Sequence, residues 1–324
     1  MTAIYPEPAQ DRDAWILARR GSKNSVDPMR PYAFHLEEEL SAERELVPVA
    51  TVFLTNRECP WRCVMCDLWK NTLNEVGPAG AVASQIEFAL SRLGPARHIK
   101  LYNSGSFFDR GAIPADEHEA IVGRIHSFER VIVECHPALI GERVLGFRDM
   151  LRGQLEVAMG LETAHPETLE RLNKRMTLDQ FAAAAQFLRE HDVAMRAFVL
   201  IKPPFQNDDE VRTWATRSIE FAFDCGATAV SLIPTRFGNG ALETLAEQGL
   251  FTPPTLELIE TVVDDGLALK RGRLFVDLWD LEKFSRCSNC FAPRMQRLRR
   301  MNLQQVTEVR THCALCAGTA VLSP

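Results

Sequence analysis

Long apolar runs are missing from this 324-residue sequence. No stretch of about 18 apolar residues occurs, so no helical membrane span is expected. The N-terminus, MTAIYPEPAQDRDAW, has neither a basic n-region nor an apolar h-region, so no signal peptide is expected either. Positive charge is not in excess. The 37 Lys and Arg face 43 Asp and Glu, a net charge of -6. That balance argues against wholesale coating of nucleic acid and leaves room for a local basic patch. Low-complexity tracts are absent, and 46% hydrophobic with 25% charged residues is ordinary for a globular protein. The length accommodates one α/β barrel-type domain with a small appendage.

The most telling absence is local. RECPWRCVMCDLWKN (57–71) sets Cys59, Cys63 and Cys66 within eight residues and supplies no fourth cysteine nearby. A tetrahedral zinc site wants four ligands, and a disulfide wants two. Of nine cysteines, seven fall in tight groups, the other four being Cys287, Cys290, Cys313 and Cys316. Such grouping points to metal binding in a reducing, cytoplasmic compartment rather than to a secreted disulfide framework. Cys135 and Cys225 stand alone in apolar surroundings and read as buried small hydrophobes.

Residues 1–46 are polar and read as a helical or irregular extension. From Val47 the pattern alternates. Apolar β-runs at 47–55, 98–103, 130–136, 155–162, 194–202 and 229–234 are separated by amphipathic helical stretches. This predicts six strands of a parallel sheet over residues 47–255, with functional loops at their C-terminal ends. An open barrel and a doubly wound sheet share the pattern. Residues 256–324 form a third region that carries a helix, a short strand RLFVDLW and the last four cysteines.

Three thiolates on a short loop can hold three irons of a [4Fe–4S] cube and leave the fourth open to a small molecule. An ordinary zinc site closed by His98, reaching over from a strand end, is the alternative. The loop, placed directly after the first strand of the series, resembles the signature of the radical S-adenosylmethionine (SAM) superfamily. Met65 stands where many members carry an aromatic residue, and Trp61 and Trp69 are expected to supply the apolar cover. The resemblance implies a partial (β/α)6 barrel and a SAM molecule chelated by the open iron. It also implies reductive splitting of SAM into a 5′-deoxyadenosyl radical, fed by an electron donor such as flavodoxin or ferredoxin.

Other strand ends add candidates for holding SAM. In YNSGSFFD (102–109), Ser104, Gly105 and Ser106 occupy the place of the family's Gly-Gly-Glu type motif, and Gly105 permits close backbone approach. VECHP brings Glu134 to the rim and MGLET brings Glu162, either able to bind ribose hydroxyls or an amino group. Lys174 in NKRMT lies where members often place a base on the SAM carboxylate. Lys202 in LIKPPF is aimed at the mouth by the two prolines behind it. No residue is identified as gating hydrogen abstraction. Together these motifs resemble one branch, within the Elongator/MiaB/NifB-type core: the radical SAM enzyme that works with archaeosine synthase on tRNA. That likeness implies a substrate in tRNA or modified-nucleoside metabolism, with C–N bond cleavage.

At the C-terminus, Cys287-x2-Cys290 and Cys313-x2-Cys316 form two knuckles 22 residues apart. They predict a four-cysteine module holding Zn2+ or a second iron–sulfur cluster. Between them, Arg294, Arg297, Arg299 and Arg300 suggest contact with an RNA backbone. A second cluster would fit a methylthiolating or sulfur-inserting enzyme. Purely structural metals would fit a non-catalytic RNA-binding protein.

Overall fold

The computed structural model describes residues 4–319. Helix α1 (Ala9–Leu17) precedes strands β1 (Ala33–Leu40) and β2 (Leu46–Phe53), then helix α2 (Ala81–Leu90) and β3 (His98–Tyr102). The alternation continues with α3 (His118–Ile125), β4 (Arg130–Cys135), α4 (Glu142–Met150) and β5 (Gln154–Glu162). Helices α5 (Pro166–Arg171) and α6 (Leu178–Glu190) lead to β6 (Ala194–Ile201), and α7 (Val211–Asp224) leads to β7 (Ala229–Pro234). Two further helices, α8 (Ala241–Glu247) and α9 (Leu256–Ala268), come before β8 (Arg273–Val276). Helices α10 (Ser288–Gln304) and α11 (Ala314–Thr319) follow. Among the described residues no helix is long and apolar enough to cross a membrane.

Strand order decides between the two architectures left open above. A doubly wound sheet reverses its order at a switch point. Here the order runs from β1 to β8 without reversal, each strand parallel to the next except the antiparallel β1–β2 pair. The sheet also curls. Tyr102 on β3 and Phe198 on β6 have ring centroids 5.9 Å apart, where a flat sheet would hold such strands roughly 14 Å apart. Arg196 on β6 reaches Glu39 on β1 at 2.5 Å. The result is an eight-stranded half-barrel. The six expected strands are its centre. The helical or irregular reading of residues 1–46 fails at 33–40, which form the outermost strand and pair with β2 along its whole length.

Side-chain alternation explains the curl's two faces. Val52, Leu101, Val133, Val157, Val199, Leu232 and Leu274 face outward into one apolar core under the helices, each 0 or 1% exposed. Burying each such side chain stabilises by about 1.5–3 kcal/mol, so this face drives the folding of the βα units. The inner row at the strands' N-terminal ends is charged instead. Glu39 accepts from Arg196 and Lys100 at 2.5 and 2.6 Å, and Glu156 accepts from Arg196 at 2.8 Å, with Arg273 at 3.4 Å. Burial pushes both carboxyls up, but Arg196, with Lys100 or Arg273, outweighs it and holds them below the usual carboxylate range. A buried network of this kind specifies which strands meet more than it adds stability.

The half-barrel leaves a seam between its first and last strands, and α10 lies across it, packed on both β1 and β8. Its amide side chains complete the exposed edge of β8. Gln305 accepts from the Leu274 N–H at 2.6 Å and donates to the Leu274 carbonyl at 2.7 Å. Asn302 does the same for Val276, at 2.9 Å both ways. An open sheet edge is thereby capped by side chains that mimic a ninth strand.

Candidate active site

The three-cysteine loop leaves the C-terminal end of β2 and is tied down by its backbone. Leu73 N–H donates to the Asn56 carbonyl at 2.8 Å and Glu58 N–H to the Leu73 carbonyl at 3.1 Å, closing the base of the loop. Val64 N–H donates to Leu172 at 3.0 Å. From above, Asn239 donates to the Val64 carbonyl at 2.7 Å, and Asn173 donates to that of Arg62 at 2.8 Å. Burial pushes the Cys59, Cys63 and Cys66 thiols up to about 12. Thiols so placed become thiolates only with a compensating cation.

Among the described residues, the only group of three or more Cys, His, Asp or Glu donors drawn within 4.8 Å of one another is Cys287, Cys290, Cys313 and Cys316. The N-terminal trio is not drawn into such a group, and a cubane would not ask it to be, because each thiolate sits on its own iron, with sulfurs roughly 6 Å apart. His98 does not complete a zinc site. It opens β3 and pairs in register with Val49, near the start of β2, at the opposite end of the barrel from the loop.

The residues after β3 pack against the loop. A Cβ at Gly105 would meet the Cys59 Cβ at 3.2 Å, so glycine here allows the two segments to touch. Glu134 accepts the backbone N–H of Asn103 at 2.5 Å and of Gly105 at 3.3 Å. Burial raises its carboxyl to about 7 against the pull of those N–H groups. Ser104 holds a left-handed φ of 55° and its hydroxyl meets that of Tyr32 at 3.1 Å. Ser106 is spoken for, since its hydroxyl accepts from His136 N–H at 2.8 Å. Asn103 is fully buried, yet neither end of its amide has a hydrogen-bond partner among the described residues. A polar side chain left thus beside the cysteine loop fits a ligand that completes it.

Glu162 and Lys174 form one unit, their charged ends 2.5 Å apart. Gly160 makes the room, because a Cβ there would come within 2.3 Å of both side chains. Burial works against the Lys174 charge, but Glu162 and the nearby Cys63 and Cys59 sulfurs hold its ammonium above the usual lysine range. Lys202 is directed elsewhere, to Thr252 at 2.6 Å and Asp208 at 2.9 Å. Arg236 pairs with Asp277 at 2.5 Å.

Backbone strain gathers on this rim. Six of the eleven non-glycine residues with positive φ among those described are Ser104, Glu162, Asn173, Arg175, Lys202 and Phe205, all at strand ends or the loops after them. Such conformations cost of order 1–3 kcal/mol each and collect at working sites.

His136 escaped the sequence reading. The expected cover from Trp61 stacks on it with centroids 3.8 Å apart and planes 7° from parallel. His136 Nδ1 accepts from Ala138 N–H, so its Nε2 carries the hydrogen and donates to the Lys174 carbonyl at 3.0 Å. Burial, then Lys174, lowers this histidine to about 3, which keeps it neutral. The expected cover from Trp69 holds only in part, for that ring is buried beneath the Arg20 guanidinium. The N-terminal segment is the larger surprise. Tyr5, Trp15 and Ile16 share an apolar cluster with Val64 of the cysteine loop and Leu172. Arg20 and Lys23 bind Glu58 at 2.6 and 2.8 Å.

The C-terminal module forms as expected, with the Cys287 and Cys313 sulfurs 3.9 Å apart and those of Cys290 and Cys316 3.6 Å apart. Two of its four arginines are turned inward. Arg294 and Arg297 are buried against α9, Arg294 on Glu257 and Arg297 on Asp264 at 2.5 Å, while Arg300 pairs with Glu308 at 2.7 Å. Arg294 and Arg297 are therefore not available to an RNA backbone, whereas Arg299 and Arg300 are exposed.

No family model matches the chain. It is 23% identical over 246 residues to the uncharacterized protein MJ0550 of Methanocaldococcus jannaschii, covering 71% of this chain and 67% of that protein. It is 26% identical over 219 residues to archaeosine synthase subunit beta of Methanosarcina acetivorans, covering 64% of this chain and 63% of that protein. The chain thus spans about two thirds of the length of the curated relatives it matches. Among solved structures, archaeal Elp3 of Methanocaldococcus infernus shares the fold with a TM-score of 0.50 and 13% identity, over 70% of this chain and 59% of that one. With its three-cysteine loop at the first parallel strand of a curled half-barrel, the chain shares the fold of archaeal Elp3 and is similar in sequence to archaeosine synthase subunit beta.

Proposed function

We propose that this protein uses a [4Fe–4S] cluster on Cys59, Cys63 and Cys66 to cleave SAM and act on tRNA or a modified nucleoside. The observation that carries the reading is three free cysteines on one loop at the C-terminal end of β2, with Gly105 packed closely against Cys59. The tRNA assignment draws on the archaeosine synthase subunit beta relatives, and C–N bond cleavage follows from the branch likeness. When bound, the reduced cluster supplies the electron that splits SAM into methionine and a 5′-deoxyadenosyl radical. A donor such as flavodoxin or ferredoxin would deliver it, in a reducing cytoplasm.

The chain's own residues do the rest. Glu134 shapes the Asn103–Ser106 turn by accepting two of its N–H groups, which leaves the turn's carbonyls and the Asn103 amide for the ligand's amino group. Lys174 and Glu162 offer a cation and an anion 2.5 Å apart, complementary to the carboxylate and amino group of an amino-acid moiety. Ser104 serves the turn's conformation. Ser106 and Lys202 support the rim through His136 and Thr252 rather than by touching SAM. The Trp61–His136 stack caps the loop and excludes water from it.

Anaerobic reconstitution followed by measurement of 5′-deoxyadenosine tests the reading. Wild-type protein should form it from SAM and dithionite, and tRNA should change the rate. A Cys59→Ala protein that still forms 5′-deoxyadenosine would refute the cluster assignment.

A further inference from the structure

The geometry points to one tetrahedral Zn2+ held by Cys287, Cys290, Cys313 and Cys316, which fastens α10 across the seam of the half-barrel. This is independent of the chemistry proposed at the N-terminal cysteines. The four sulfurs all lie within 4.8 Å of one another, with two pairs at 3.9 and 3.6 Å. Four thiolates on a single zinc at about 2.3 Å stand on tetrahedral edges of about 3.8 Å. A [4Fe–4S] or [2Fe–2S] cluster spreads at least some of its four cysteines to roughly 6 Å, because they sit on different irons. The quartet is too tight for either cluster. Among single ions, the Irving–Williams order places zinc above ferrous iron at a thiolate site. A site with no inorganic sulfide also has none to give up, which removes the structural basis for a sulfur-inserting reaction.

The ion's task follows from what α10 does. Its C-terminal half caps the β8 edge through Asn302 and Gln305. Its N-terminal half is poorly held by its own backbone, since Pro293 lies inside the helix and cannot donate to the Asn289 carbonyl. Cys287 and Cys290 flank this weak first turn, and the returning chain brings Cys313 and Cys316 to it. Arg297, 1% exposed, anchors that return by donating to the Glu308 and Val309 carbonyls at 2.6 and 3.2 Å. The metal closes the loop that begins and ends there.

Metal and sulfide analysis of the anaerobic full-length protein, with amide hydrogen exchange, tests this. Wild type should hold about one zinc in addition to about four irons and four sulfides. Cys287→Ser should lose the zinc, keep the iron, and exchange the Leu274 and Val276 amides faster. Should that variant fail to fold, cobalt exchanged into wild type should give the absorption of a tetrahedral tetrathiolate site. Zinc absent, with iron and sulfide well above four, would overturn the assignment, as would zinc retained in Cys287→Ser or unchanged β8 exchange after zinc loss. Iron retained in Cys59→Ala would instead refute the radical SAM reading and leave the zinc site standing.

Discussion

The chain carries two cysteine centres built on opposite principles. The N-terminal trio lies at the strand ends and is surrounded by strained backbone, a neutral histidine and an amide without a partner among the described residues. The C-terminal quartet is tight, and gathers at the start of α10, whose Arg294 and Arg297 are held by α9. Three cysteines would leave a coordination position for something else to bind, whereas four would leave none. The difference teaches that ligand count and sulfur spacing, more than cysteine content, separate a reactive centre from a fastener.

Breaking each centre should give different losses. The largest effect belongs to the trio: Cys63→Ala should remove the iron and lower 5′-deoxyadenosine formation roughly a thousandfold or more, because the cluster supplies the redox chemistry. Zinc content and thermal stability should change little, as metal analysis and calorimetry on the same sample would show. Next comes Gly160→Ala, whose Cβ would intrude on the Lys174–Glu162 pair. Overpacking there should weaken SAM binding about tenfold, with iron retained, as read by isothermal titration. Equal SAM affinity would mean the pair does not hold the ligand.

A smaller effect concerns pH. Burial raises the Glu134 carboxyl to about 7 in the folded protein from the usual carboxylate value of about 4.5. The folded state therefore binds a proton that the unfolded chain releases. Its favourable contribution is complete below about pH 4.5 and declines as pH rises toward 7. Denaturant unfolding of Glu134→Gln across that window should show a flatter pH dependence than wild type. The smallest effect is at the seam. Asn302→Ala should cost about 1 kcal/mol, seen as faster exchange of the Val276 amide with both metal centres intact.

Much of this was legible in the sequence. The trio's spacing, the apolar runs of β2 to β7 and the rim carboxylates all depend on short-range patterns. What was not legible depends on partners far along the chain. Tyr5 donates to the carbonyl of Arg171, and Arg12 to the carboxylate of Glu170, so the cover over the cysteine loop has no local signature. Glu39 and Glu37 read as surface acids in a polar stretch. Only the curl of the sheet brings Lys100 and Arg196 to them. Two of the arginines of α10 were misread for the same reason, although a signal existed. Arg294 and Arg297 are spaced three apart, matching Glu257 and Glu260 on α9, which marks two helices facing each other.

Electron paramagnetic resonance of the dithionite-reduced protein, with and without SAM, tests the proposed open iron most directly. The expected result is a reduced [4Fe–4S] signal that changes on adding SAM and is absent from Cys59→Ala. A signal indifferent to SAM, or one that survives the loss of Cys59, would show that no coordination position is open on the N-terminal loop.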